Sequence, residues 1–499
     1  MTPTLHFSPL AAAVYGTLGV VAALAGGWLP ARAAQRIAPA LALKGLGDIG
    51  VRSGHVGWGP ALLLVGGLLA LAPPIAGMPL AAYVSVALLL LGGIVCVPAG
   101  VGALLRMIPP PRGALTLLAV ERARHQRNSA TIAVAGVVAS LALSVALTVM
   151  VASFRESVTR WLDTVLPADL YARSAAAGGT STAAGDVVFI APAVVNAVRA
   201  LPGVARLETA RVAQVQLDDA RPAVALIARS MTDPAQSLPL IGELLAPQAG
   251  VVSAFVSEPM ANVYGMQAGQ HFRLPLPNGR TEDVFVRGVW RDYARQHGAV
   301  VLDSADFQRL TGDVRVNDLA MWLAPGADAG ALQGRIRALS GEAALLEFAT
   351  PGQIRALSLR IFDRSFAVTY WLQAVAVGIG LFGIAASFSA QVLARRREFG
   401  LLAHLGLTRR QILSVVAAEG AVWTAAGVLV GLALGLAVSI VLVEVVNPQS
   451  FHWTMELLLP WGRLGLLSAA VLLAGTLTAW LAGRAAAGRD AALAVKQDW

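Results

Sequence analysis

The sequence predicts an α-helical transmembrane bundle of about seven spans with a large extracytoplasmic mixed α/β domain. Three observations predict it. Hydrophobic residues fill 56% of the 499 positions and charged residues only 13%, whereas soluble domains average about 25% charged. Apolar runs of spanning length recur at both ends of the chain, and the short loops between them are alternately rich in arginine and nearly free of Lys and Arg. The one long interruption, 155–365, is polar and alternates strand-like with helix-like segments, the pattern of a sheet with helices packed on it.

The first run, Ser8–Leu29, is long enough to span. No Lys or Arg precedes it, and the first is Arg32. A secretory signal needs positive charge in front, so this run reads as a retained helix with its N-terminus outside. Pro30–Gly57 holds Arg32, Arg36, Lys44 and Arg52 and belongs in the cytoplasm, because translocating basic loops is costly. A helical hairpin follows, about Trp58–Ala72 and Leu80–Leu105, broken by Pro73, Pro74, Gly77 and Pro79. Its first arm is short for a span. The return Arg106–Asn128 is basic, and Leu115, Leu118 and Val120 suggest an interfacial elbow helix. The fourth span is about Ser129–Phe154. After the insert come spans at about Phe366–Val392, Ala417–Val446 and Leu464–Gly483. The turn Asn447–Pro460 lacks Lys and Arg and belongs outside. The chain thus divides at 1–57, 58–105, 106–154, 155–365 and 366–499, with a cytoplasmic C-terminus and the insert outside.

Within the insert, Tyr171–Asp186 is rich in Ala, Gly, Ser and Thr and reads as a loop. Val187–Ile190, Val212–Leu217, Ala223–Ile227, Phe272–Leu276, Val284–Trp290, Ala299–Leu302 and Leu319–Leu323 read as strands. Asn278-Gly279 is a strong hairpin signal. Pro192 suits the first turn of a helix reaching about Ala200, and further helices follow Ser304 and the turn-like Pro325–Asp328. Glu282, Asp283 and Asp292 read as a solvated face rather than a catalytic set.

The stretch with most character is Arg395–Gln411, RRREFGLLAHLGLTRRQ, a short basic loop between two spans. Phe399, Leu401, Leu402 and Leu405 recur at helical spacing after Glu398. Gly406 ends that helix by tolerating a left-handed backbone. Thr408 and Gln411 form a capping box that starts the next, with Arg409 and Arg410 in its first turn. The expectation is a small helix–turn–helix protruding into the cytoplasm, with an apolar face and no local core. It either lies on lipid headgroups or docks into a cytoplasmic partner, with Leu402 and Leu405 filling a groove and the arginines at its rim. In the next span Gly427, Gly431 and Gly435 lie on one face. They mark close helix crossing, within one subunit or between two. Glu419 enters that run near its start, and Gln373 reads as an interhelical hydrogen-bonding group.

Trp28-Leu29-Pro30-Ala31-Arg32-Ala33-Ala34 resembles Trp480-Leu481-Ala482-Gly483-Arg484-Ala485-Ala486, and the match continues without a gap to Lys44 and Lys496. Self-similarity is an architectural signal and favours duplication, with 1–57 as the tail of an incomplete first unit. RRREFGLLAHLGLTRRQI, followed by Glu419-Gly420 and the three glycines, resembles the FtsX-like permease domain of MacB- and LolC-type ABC transporters. Val256-Ser257-Glu258, Gly265-Met266-Gln267-Ala268-Gly269 and Asn278-Gly279 match that family's extracytoplasmic run of strand, short helix and hairpin. The doubled architecture is similar to its large ten-helix branch. The resemblance implies a location in the bacterial inner membrane and a permease for export or for envelope lipid or lipoprotein-type cargo. It also implies a separate cytoplasmic ATPase that binds ATP, coupled through the basic loop, and a first permease half or a second copy as further partner.

The residues exclude other classes. No G-x₄-G-K-[ST], G-x-S-x-G or H-E-x-x-H occurs, so neither catalysis nor a cofactor is expected in this chain. The histidines form no metal-ligand cluster, and Cys96 is the only cysteine. The net charge of +9 sits at the ends of apolar runs, which fits a membrane rather than nucleic acid. A membrane-anchored envelope binding or regulatory module without transport, a truncated permease fragment and a membrane-bound hydrolase are the alternatives.

Overall fold

The computed structural model describes residues 8–35, 57–75, 77–125, 127–174, 189–339, 346–394 and 396–486. Helix α1 (Pro9–Ala34) is exposed at every described side chain. Helices α2 (Trp58–Ala70) and α3 (Leu80–Met107) form the expected hairpin. It is held by the close approach of Gly92 to α2 and by Ser85 Oγ donating to the Gly66 carbonyl at 2.6 Å. Helix α4 (Ala114–His125) is the elbow, and α5 (Arg127–Val165) runs 39 residues.

The insert begins with β1 (Leu170–Ser174), α6 (Pro192–Arg199), β2 (Val204–Val215) and β3 (Val224–Arg229). The short α7 (Pro234–Ser237), β4 (Leu240–Ile241), β5 (Val252–Ser257) and α8 (Glu258–Tyr264) follow. Next come β6 (His271–Pro275), β7 (Thr281–Trp290), β8 (Ala299–Asp303) and α9 (Ser304–Thr311). The insert closes with β9 (Asp318–Leu323), α10 (Ala329–Leu339) and β10 (Leu346–Ala349). All ten strands join one mixed sheet in the order β10-β1-β9-β2-β3-β8-β5-β7-β4, with β6 on β7. The β3–β8 and β5–β7 pairs are parallel and the rest antiparallel.

Helix α11 (Pro351–Ser365) opens on a Thr350/Gln353 capping box and leads into α12 (Ala367–Ala394). Helix α13 (Arg396–His404) is the basic loop's helix. Helix α14 (Arg409–Val441) continues through a π-helical turn (Leu442–Val446) and α15 (Asn447–Phe451), and α16 (Trp461–Ala486) ends the described chain.

Five of these helices are long and apolar enough to cross a membrane: Leu80–Met107, Val134–Val165, Ala367–Val392, Arg409–Phe451 and Trp461–Arg484. The other two expected spans are shorter apolar stretches, Ala12–Trp28 and Trp58–Ala70. At 13 residues, α2 is about 20 Å long against a hydrocarbon core of about 30 Å.

Several expectations change. The fourth span continues eleven residues past Phe154 to Val165, because Glu156 and Arg160 pair at i, i+4 (3.0 Å) and keep the polar stretch helical. The expected loop Tyr171–Asp186 starts as strand: Tyr171–Ser174 pairs with β10, while 175–186 lie outside the described residues. Ile190 makes only an isolated bridge to Val316. Asp292 is fully buried, not solvated, accepting from the Ala294 backbone and from Arg295 at 3.0 Å. The repeat's Trp28–Ala34 and Trp480–Ala486 both end helices, and Lys44 and Lys496 lie outside the described residues.

Helix α14 is the hub of the bundle. Its Trp423, Leu434 and Val438 share one core with Val134, Leu141, Val145 and Val149 of α5. Small residues permit the approach: Gly427 meets Val134 and Val137, Gly431 meets Leu141, and Gly435 meets the Ala142 carbonyl and Val145. The three glycines therefore serve crossing within this chain. Gly420 against Ala479 and Gly475 against Thr424 do the same for α14 and α16. Gln373 donates to the Ser144 carbonyl (3.1 Å) and to Thr148 Oγ1 (2.6 Å), tying α12 to α5.

Candidate functional site

Distinct side-chain clusters close the two ends of the bundle. One end carries the arginines. There, α13 closes on Gly406 at φ +95°. The Gly406 N–H donates to the Ala403 carbonyl and the Leu407 N–H to the Leu402 carbonyl, both at 3.1 Å, so the orphan carbonyls at the helix end are satisfied. Thr408 and Gln411 then make the reciprocal capping box that starts α14. The turn is rigid because every step of it is hydrogen-bonded.

The expectation of a protruding face without a core is corrected by the packing. Phe399 is 2% exposed and packs with Val392, Ile412 and Val416, joined by Leu402 and Leu407. Leu402 therefore faces inward. Leu401 (63% exposed) and Leu405 (70%) form the outer apolar pair one helical turn apart. Glu398 is ion-paired to Arg122 of α4. Arg124 of the same helix donates to the Leu105 and Ile108 carbonyls at the end of α3. Arg409 donates to the Arg484 carbonyl of α16 at 3.3 Å, and Arg410 is exposed. One face of the elbow packs on protein, where Ala119, Val120 and Ala123 are buried, while Leu117 is exposed. Glu398, Phe399 and Arg409 thus clamp the basic turn to three other helices, while Leu401, Leu405 and Arg410 are presented outward.

The opposite end was not legible in the sequence. The helix α5 extension and α11 meet the 452–460 segment and the loop after β7 in an aromatic collar. Phe154 stacks on Trp453 with ring centroids 4.8 Å apart and touches Phe362 (4.9 Å) and Phe366 (5.7 Å). Tyr293 stands edge-on to Trp453 and donates to the Thr454 carbonyl at 3.0 Å. Burial pushes the Tyr293 hydroxyl up to about 12, against a smaller opposing pull from Arg291. Trp161 Nε1 donates to the Arg291 carbonyl at 2.9 Å. Around this collar Arg160 and Arg291 share Glu456 (2.7 and 3.3 Å), and Arg155–Asp363 and Arg355–Asp163 bridge α5 to α11. Exposed pairs stabilise by about 0–1 kcal/mol each, so they set register while the rings supply the adhesion. The only advance signal was an aromatic beside charge at each end of a span, and its parts lie far apart in the chain.

Among the described residues no group of His, Cys, Asp and Glu could hold a metal ion.

Residues 372–491 match the FtsX-like permease C-terminal family. An uncharacterized ABC transporter permease protein of Mycobacterium tuberculosis is 28% identical over 371 residues, 71% of this chain and 42% of that protein. The chain therefore spans about two-fifths of the length of this curated relative. The periplasmic region of MacB from Actinobacillus actinomycetemcomitans is similar over 39% of this chain and 94% of that one, at 9% identity and a TM-score of 0.29. The extracellular domain of the noncanonic ABC-type transporter YknZ from Gram-positive bacteria covers 36% of this chain and 99% of its own, at 10% identity and a TM-score of 0.26.

Proposed function

We propose that this chain, whose residues 372–491 match the FtsX-like permease C-terminal family, is the permease subunit of an ABC transporter, moved by a separate cytoplasmic ATPase. The observation that carries this reading is the placing of the clamped basic turn and the α/β domain at opposite ends of continuous helices. Helix α5 alone, 39 residues, is about 58 Å long. It passes from the end that holds α4 to the aromatic collar without a break. A push on α13 reaches α4 through Arg122–Glu398, and α5 through the core that α14 shares with it. The arginine-bearing end faces the cytoplasm, by the cost of translocating such loops. ATP belongs to the partner, and cargo of lipid or lipoprotein type belongs to the outer domain. The uncovered helix α1 is the natural contact for a first permease half or a second copy.

The docking pair is Leu401 and Leu405, not Leu402. Leu405→Asp places an unpaired charge in an apolar groove, costing about 3–5 kcal/mol of association. The turn should remain folded, because its core is Phe399. In a detergent pull-down at matched expression, recovery of the ATPase should fall at least ten-fold. Equal recovery would reject docking and leave α13 as a helix on the lipid headgroups.

A further inference from the structure

Helices α6, α8, α9 and α10 pack on one face of the outer sheet. Side chains alternate along strands, so Leu170, Ala172 and Met321 enter the helix-covered core, while Tyr171, Arg173, Ala320 and Trp322 face the other side. There, where the chain leaves α5 at Val165–Pro167, lies a cavity of about 170 Å³. Leu166, Leu238, Trp290 and Trp322 supply apolar wall. Its charges are matched except for one. Arg173 donates to Asp318 at 2.6 Å, Glu208 is paired with Arg206, and Arg295 donates to Asp292 at 3.0 Å. The side chain of Arg229, half-buried at the end of β3, makes no hydrogen bond or ion pair among the described residues. Burial lowers the pKa of its guanidinium, with only partial compensation from Glu208. A second donor is idle as well: Trp290 Nε1 is buried and has no partner among the described residues. The guanidinium offers five N–H donors, and the buried Trp290 donor left unmade is costly. The carboxylates at this cavity, Glu208 and Asp318, are engaged by Arg206 and Arg173, which leaves one cation without a hydrogen-bonded anion.

We propose that the cavity binds a small carboxylate amphiphile, its anion on Arg229 and its apolar part against Trp290 and Trp322. The volume sets the size, since an engineered apolar cavity of about 150 Å³ holds a benzene ring. The apolar part is thus a ring or a short acyl chain. One wall is the end of α5, so occupancy bears directly on the helix that crosses the bundle. This inference concerns binding alone and stands whether or not an ATPase docks on α13.

Calorimetric titration of octanoate into the full chain in lipid nanodiscs, with empty nanodiscs as reference for partition, tests it. Octanoate should bind saturably at one site, at least ten-fold tighter than octanol. Arg229→Gln should weaken octanoate at least ten-fold, and Arg229→Lys should retain most of the affinity. Ala320→Phe, which fills the cavity with the charge intact, should abolish binding. Near-UV circular dichroism checks that each variant is folded. If Arg229→Gln is not, the octanoate–octanol comparison and Ala320→Phe still decide. No saturable heat, equal binding of octanoate and octanol, or wild-type affinity in folded Arg229→Gln or Ala320→Phe would overturn the proposal.

Discussion

Asp313 shows how a single side chain can join two parts of the outer sheet. It accepts from the Arg315 backbone and guanidinium (3.1, 2.7 and 3.0 Å) and from Arg211 of β2 at 3.1 Å, and both arginines lie over the Phe189 ring. The bonds from Arg315, aided by Arg211, hold its carboxyl at about 2, below the ordinary carboxylate range. A depressed folded pKa contributes stability above the unfolded value that is lost as pH falls through the folded one. This contribution is therefore complete above about pH 4 and disappears as pH drops to about 2. Asp313→Asn should lower stability to denaturant at pH 5 and match the wild type near pH 2. A mutant deficit that stays constant across that window would show that the charge plays no part.

At the scale of helices, the α5–α14 crossing depends on what a methyl group would meet. A Cβ on Gly435 would lie 2.7 Å from the Ala142 carbonyl oxygen and from Val145 Cβ, whereas one on Gly427 would come no closer than 3.0 Å to the end of Val134. Backbone cannot rotate away as a valine methyl can. Gly435→Ala should therefore cost about 1–3 kcal/mol by overpacking and Gly427→Ala clearly less, read as loss of monodisperse protein on heating in detergent. Equal melting of the two variants would mean that the helices shift freely. Elements also account for the basic turn. Its capping box and terminal glycine were readable because they are local rules, three or four residues in reach. Which leucine points outward was not, because residues 399, 402, 401 and 405 make α13 apolar on two sides, and only Ile412 and Val416 of the neighbouring helix choose between them.

Across the whole molecule, polarity separates the ends: arginine-bearing turns at one, the α/β domain and its collar at the other. Orientation follows if the arginines stay inside. Gly279 sits in the β6–β7 hairpin at φ +81°, where a side chain is strained, so the exposed neighbour Arg280 is the better outer probe. In a Cys96→Ala background, Arg280→Cys should react with an impermeant maleimide in intact cells, and Ala403→Cys only after permeabilisation. The reverse pattern would invert the molecule and end the coupling proposal. The collar can be tested at the same scale. Phe154→Ala removes the ring shared by α5, α11 and the 452–460 segment, a loss of about 3–5 kcal/mol of packing. It should leave ATPase recovery intact while raising hydrogen exchange across 452–460.

By itself the sequence determined the membrane bundle, the polar insert, the segregation of arginine and the basic helix–turn–helix. Each of these rests on composition or on contacts a few residues apart, where hydration and local hydrogen bonding act without reference to the rest of the chain. The tertiary structure alone decided the sheet order and the collar. Leu170–Ser174 is too short to carry a period, and it becomes a strand because Leu346–Ala349 and Asp318–Leu323 offer it hydrogen bonds from either side. Phe154, Tyr293, Phe362 and Trp453 become one cluster only when the helices and the sheet have closed around them. The free energy that selects those partners comes from burial between distant segments, and no window of sequence contains both sides of it.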